Sequence, residues 1–126
     1  MHKSGLAGFI IDCKTEDLDA AARFWSQALN LPPLPEAYTE ETCYRKLSNG
    51  PGGLHVEVQR VDHPSRVHLD IESNDIPAEV KRLEALGATV VKRIQTWVIM
   101  EAPTGHRFCV VQGQYRTAED DGGGSP

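Results

Sequence analysis

The sequence predicts an α+β fold built from two similar modules, and two observations carry that expectation. The first is an internal repeat. Phe9–Leu29 (FIIDCKTEDLDAAARFWSQAL) aligns with Val67–Gly87 (VHLDIESNDIPAEVKRLEALG) at a constant offset of 58 residues. Asp12 falls on Asp70 and Asp17 on Asp75, while Ile11, Cys13, Leu18, Ala22 and Trp25 meet Leu69, Ile71, Ile76, Val80 and Leu83. The second is a shared punctuation, in which a strand pattern passes into a helix pattern and then into short strands divided by turns.

The elements follow in chain order. Val67, Leu69 and Ile71 alternate with His68, Asp70 and Glu72, the period of a half-buried strand, and Phe9–Cys13 is its counterpart. Leu18, Ala21, Ala22, Trp25 and Leu29 share one helical face, as do Ile76, Val80, Leu83 and Leu86. Thr15 or Asp17 can cap the first helix, and Asn74 or Asp75 the second, by accepting free backbone N–H bonds. Pro77 suits a first turn and Gly87 a C-terminal stop. Pro32, Pro33 and Pro35 then exclude helix. Strands are expected over Thr42–Leu47 and Leu54–Arg60, with a turn at Ser48–Gly53 between them. In the second half strands are expected over Thr89–Arg93, Thr96–Glu101 and Arg107–Gln112, with Pro103-Thr104-Gly105 turning into the last. The expected organisation is one domain over residues 1–115, with modules at about 6–61 and 66–113. The polar, Gly-rich segment 116–126 reads as a disordered tail.

Bulk properties narrow the function classes. The chain has 126 residues, 40% hydrophobic and 25% charged, ordinary values for a soluble globular protein. A net charge of -5 with no dense Lys/Arg run argues against nucleic acid as a partner. No apolar run approaches the ~18 residues of a membrane span, and Met1–Gly5 does not open a secretion signal. Cys13, Cys43 and Cys109 lack CxxC spacing, which fits reduced thiols and a cytoplasmic location.

Three segments carry a resemblance. Ile11-Asp12-Cys13 followed by Ala22-Arg23-Phe24-Trp25 resembles the opening of glyoxalase-like domains of the vicinal-oxygen-chelate superfamily. His68-Leu69-Asp70, Asp75-Ile76, Glu79-Val80, Arg82-Leu83 and Leu86-Gly87-Ala88 are similar to their second module. Ala102–Val111 (APTGHRFCVV) resembles their terminal turn and strand. The resemblance covers roughly residues 6–113 and implies two βαβββ modules forming a cupped mixed sheet around a small-molecule cavity. It also implies a homodimer. In metal-dependent members four side chains hold a divalent ion. By position these become Ile10, Glu57, His68 and Cys109, with Ile10 lying 58 residues before His68 and Glu57 lying 52 before Cys109. Ile10 offers no donor, and Cys109 stands where a carboxylate is usual. Glu57, His68 and Cys109 make at most a three-donor metal site, so a divalent metal is possible but the expectation is no cofactor.

Strand alternation gives a second route to the inner face. If Ile11, Val56, Val58, Leu69, Ile71, Phe108 and Val110 pack under the helices, then Ile10, Asp12, His55, Glu57, Gln59, His68, Asp70, Arg107 and Cys109 point the other way. That set is too polar for a closed core and suits a water-accessible pocket. His68 and Glu57 are the candidate catalytic pair. His68 is read as a metal ligand, a general base, an oxyanion-facing donor or a hydrogen-bonded structural histidine. Glu57 beside it is read as relaying a proton or as a solvated carboxylate. His55, Gln59, Asp70, Arg107 and Trp97 are candidate ligand-binding residues. Asp12 and Asp70 read foremost as structural counterparts, held by ion pairs or backbone bonds, and Arg107 as gripping a carboxylate ligand or one of these aspartates. Cys109 reads as a small core residue. Trp25 reads as core, and Trp97 as lining the pocket or a dimer seam. His2, His63 and His106 read as solvated.

The resemblance implies an isomerase- or lyase-type enzyme acting on a carbonyl or enolate compound, with a degraded metal site; a glutathione-dependent glyoxalase is disfavoured. The alternative is a non-catalytic, drug-sequestering protein of the bleomycin-resistance type. Both take a small molecule as partner.

Overall fold

A computed structural model describes residues 2–34 and 43–113. Along these the elements are β1 (Ser4–Cys13), α1 (Leu18–Leu29), β2 (Tyr44–Leu47), a single 3-10 turn (Pro51–Gly53), β3 (His55–Arg60), β4 (Arg66–Ser73), α2 (Ile76–Ala85), β5 (Thr89–Arg93), β6 (Trp97–Glu101) and β7 (Arg107–Gln112). Hydrogen-bonded strand neighbours follow the order β2-β3-β1-β4-β7-β6-β5, a seven-stranded sheet. The sheet is mixed: β1 and β3 run parallel, whereas β2–β3, β5–β6 and β6–β7 are antiparallel. The α+β class and the mixed sheet stand as expected. The repeat is visible in the element bounds. Leu18 and Ile76, which open the two helices, are 58 residues apart, and β3 maps onto β7 at an offset of 52 at both ends. Among the described residues β2 and β3 lie between α1 and β4, the counterpart of β1, and three strands follow α2. The expected tail over 116–126 and the expected strand start at Thr42 lie outside those residues.

The chain divides into two compact units. One is Gly8–Leu69; the other joins the segment ending at Ala7 to the segment beginning at Asp70. In the first unit α1 begins because the Asp17 carboxylate accepts the Ala20 N–H at 3.0 Å. It ends at Asn30, whose left-handed φ of 57° lets its N–H turn back to Gln27. Leu18 and Ala22 on its inner face pack on Ile11, Cys13, Leu47, Val56 and Val58, with Phe9, Ala21, Trp25 and Leu31 partly buried around them. Ser26, also on that face, turns its hydroxyl to the Leu31 carbonyl at 2.8 Å, so its burial leaves no unmet polar group. Burying a side chain such as Val56 or Val58 contributes about 1.5–3 kcal/mol.

In the second unit α2 is capped by Asp75, which accepts from Ala78 N–H at 3.1 Å, and Pro77 occupies its first turn. Gly87 follows it at a φ of 109°, a conformation glycine adopts without strain. Val80 and Leu83 pack on Ala88, Val98, Met100, Phe108 and Val110. No helix among the described residues is long and apolar enough to cross a membrane.

Two expectations need correction here. Leu69 does not pack under a helix: it is 50% exposed, and Val67 is 56% exposed. Both stand on the first half of β4, whose residues belong to neither of the clusters packed under the helices. His2 is not solvated either. Its Nε2 lies 2.8 Å from the Glu79 carboxylate, whose side chain is wholly buried. His106 is exposed, as expected, whereas His63 is half-buried.

Candidate functional site

The face of β3 away from α1 carries the polar residues. Val56 and Val58 are buried in the core, whereas His55, Glu57 and Gln59 alternate with them and are half-buried. The parallel register sets Gly8 beside His55, Ile10 beside Glu57 and Asp12 beside Gln59. At Gly8 the approach is so close that a Cβ would fall 2.0 Å from the His55 carbonyl oxygen and 2.7 Å from its ring. A cavity of about 170 Å³ opens here, lined by Lys46, Asn49, His55 and Glu57 over Leu34, Leu47 and Val56.

His68, half-buried on β4, meets a different partner from the one expected. Its Nδ1 lies 2.6 Å from Oδ2 of Asp12. Asp12 is only 2% exposed, and its other oxygen, Oδ1, is buried without a hydrogen-bond partner among the described residues. Glu57 is not beside His68, because β1 lies between β3 and β4 and two strand spacings come to roughly 9–10 Å. Asp12 comes from that intervening strand, so it and not Glu57 holds the imidazole. The signal was present in the sequence: an acid in the apolar string Phe9-Ile10-Ile11-Asp12-Cys13 must be buried and therefore needs a partner. Asp12 is thus held by a side-chain contact to a histidine.

Among the residues mapped onto metal positions in this unit, Ile10 is 97% buried hydrocarbon and supplies no donor, while Glu57 and His68 do. In the other unit Asp70 and Cys109 carry donor atoms within 4.8 Å of one another. Cys109 is half-buried rather than a core residue, because it sits on the face of β7 opposite Phe108 and Val110. Arg107 grips neither Asp12 nor Asp70. It donates from Nε to Glu101 at 3.0 Å, its cross-strand partner on β6. Trp97 is 38% exposed and lines a shallow groove of about 460 Å³ with Ile76, Pro77, Ile94 and Gln112.

A model of the glyoxalase-like domain matches residues 8–111, which takes in β1 through β7 up to Val111. The chain belongs to the glyoxalase-like domain family. No curated protein sequence matches it. Solved structures share its fold at low identity. Methylmalonyl-CoA epimerase from Mycobacterium tuberculosis is 16% identical with a TM-score of 0.59, over 91% of this chain and 91% of that one. A variant of the Streptomyces coelicolor methylmalonyl-CoA epimerase, in complex with 2-nitronate-propionyl-CoA, is 15% identical at a TM-score of 0.56, over 87% of this chain and 97% of that one. The Mn(II)-bound glyoxalase from Novosphingobium aromaticivorans is 20% identical at a TM-score of 0.57, over 85% of this chain and 38% of that one.

One further cluster escaped the sequence reading. Arg82 donates from Nε and Nη2 to the two oxygens of Glu79 at 2.9 and 2.6 Å, and His2 approaches the same carboxylate. Hydrogen bonds from Arg82 lead in holding the Glu79 carboxyl down at about 2, against burial, which pushes it up. A glutamate three residues after Ile76 and four before Leu83 stands on the apolar helical face, and that position was the available signal.

Proposed function

We propose that this glyoxalase-like domain binds a small carbonyl or enol(ate) compound and moves a proton on it, the chemistry of an isomerase or lyase. One observation carries the reading. The sheet face opposite the α1 core presents a run of half-buried polar side chains, His55, Glu57 and Gln59, with His68 half-buried on β4. Proton transfer at a carbon next to a carbonyl needs a group that titrates near neutrality and polar groups that meet the developing oxyanion. His68 is the proton-handling group in this reading. Glu57, with His55 and Gln59, orients the ligand. Solved proteins of the same fold include epimerases and one bound to a nitronate ligand, which supports the reaction class without naming a substrate. A divalent metal, where bound in this superfamily, polarises the substrate oxygen. Here Ile10 withholds a donor, and every step in the proposal belongs to the side chains.

That same isoleucine favours a second reading, a non-catalytic protein that sequesters a small molecule. Isothermal titration with paired ligands separates the two. An enolisable thioester serves as ground-state ligand and its nitronate analogue as enolate mimic. A proton-transfer site binds the enolate mimic more tightly, and His68→Ala removes that preference. Equal affinity for both ligands, unchanged in His68→Ala, supports sequestration and contradicts catalysis.

A further inference from the structure

We infer that the cavity on β2 and β3 seats the apolar end of the ligand, a group of about five or six nonhydrogen atoms, and that Leu34 is the specificity-determining residue that sets this limit. That the ligand is a carbonyl or enol(ate) compound rests on the reading above; the length limit does not.

The size follows from the volume, about 170 Å³. A water molecule takes about 30 Å³ of liquid, and a dry cavity of about 150 Å³ takes up benzene, so both comparisons give about five or six nonhydrogen atoms. The chemistry follows from the lining. Leu34, Leu47 and Val56 are its apolar part, whereas Lys46, His55 and Glu57 are polar. An apolar end group takes the first set, and the polar remainder of the molecule meets the second.

Most of this lining has no room to yield. Leu47 and Val56 are 1% and 2% exposed and belong to the core under α1, so moving them would open that core. Lys46 and Glu57 are register partners across β2 and β3, and the His55 ring fills the space that a Cβ on Gly8 would enter. Leu34 differs, being half-buried and outside the core cluster. Its backbone is nonetheless held to β2. The Leu34 N–H donates to the Lys46 carbonyl at 3.0 Å, the Ser48 N–H donates to the Pro32 carbonyl at 2.8 Å, and Pro33 bridges Leu47. Leu34 also lines a second hollow of about 500 Å³, together with Ala22, Arg23 and Gln27 on α1. A side chain common to both walls is the partition between them. The alkyl group of Leu34 therefore stops a chain in the first cavity from running into the second.

Chemical-shift titration of the ¹⁵N-labelled full chain with S-acyl N-acetylcysteamine thioesters, from acetyl to decanoyl, tests this. The amides of Leu34, Asn49 and His55 are expected to shift. Affinity should rise about fourfold per methylene group up to roughly hexanoyl and then level off. Leu34→Ala should move the plateau to roughly octanoyl or beyond, and Leu34→Trp should bring it back to roughly butyryl, each variant shown to be folded by its amide spectrum. Affinity that keeps rising past hexanoyl in the wild type, a plateau at the same length in a folded Leu34 variant, or no saturable binding of any thioester overturns the inference. Deuterium uptake at the α carbon of the same thioesters keeps the two claims apart. Equal uptake in wild type and His68→Ala removes the proton-transfer reading, while a plateau that still follows Leu34 leaves the length limit standing.

Discussion

Replacing Glu79 by Gln keeps the shape of the side chain and removes its charge, and the structure sets the expected cost. The carboxylate is wholly buried, takes both prongs of Arg82 at 2.9 and 2.6 Å, and meets His2 at 2.8 Å. Its carboxyl titrates at about 2 against an ordinary 4.5. Between those values the unfolded chain binds a proton that the native state refuses, so falling pH favours unfolding. The stabilisation is complete above about 4.5 and is lost as pH drops toward 2. At 1.36 kcal/mol per pH unit, a displacement of 2.5 corresponds to about 3 kcal/mol. Urea unfolding at pH 7 should find Glu79→Gln less stable by about 2–3 kcal/mol. At pH 3 the gap should narrow to about 1 kcal/mol, because the wild type has by then lost most of the advantage. A loss below about 1 kcal/mol at pH 7, or a gap that does not shrink on acidification, would refute the view that this triad ties the N-terminal segment to α2.

Three other outcomes are expected. Gly8→Ala places a Cβ 2.0 Å from the His55 carbonyl, so thermal unfolding should register a loss of about 2 kcal/mol or more; a change under about 0.5 kcal/mol contradicts the close approach of β1 and β3. Asp17→Ala and Asp75→Ala should each cost about 1 kcal/mol in chemical denaturation through loss of the caps on α1 and α2, and a neutral effect would mean that other groups satisfy those helix ends. Protein purified from zinc- or manganese-supplemented medium should carry less than one equivalent of metal by mass spectrometry, with Ile10→His raising the content; a stoichiometric ion in the wild type contradicts the argument from Ile10.

The fold was largely legible because its signals are local. Asp17 and Asp75 cap the two helices at equivalent positions, and the alternation of Val56 and Val58 with His55, Glu57 and Gln59 falls as the period of two requires. The exposure of Val67 and Leu69 was not legible, because it depends on how far the clusters under the helices extend across the sheet, and no property of β4 itself encodes that. The site was half legible. Alternation placed His68 and Glu57 on a polar face, but pairing them assumed adjacent strands, whereas the strand order puts β1 and its Asp12 next to His68. The aspartate pairing offered for Arg107 failed for a related reason: its partner Glu101 is fixed by antiparallel register across the Pro103–Gly105 turn, a short-range pairing that a search for long-range partners overlooks.

Deuterium incorporation at the α carbon of an enolisable thioester, followed by ¹H NMR in heavy water, tests the central claim most directly. Wild-type protein should catalyse the exchange, and His68→Ala should slow it by about a hundredfold or more. Exchange at equal rates in both proteins would show that His68 is not the group that carries the proton.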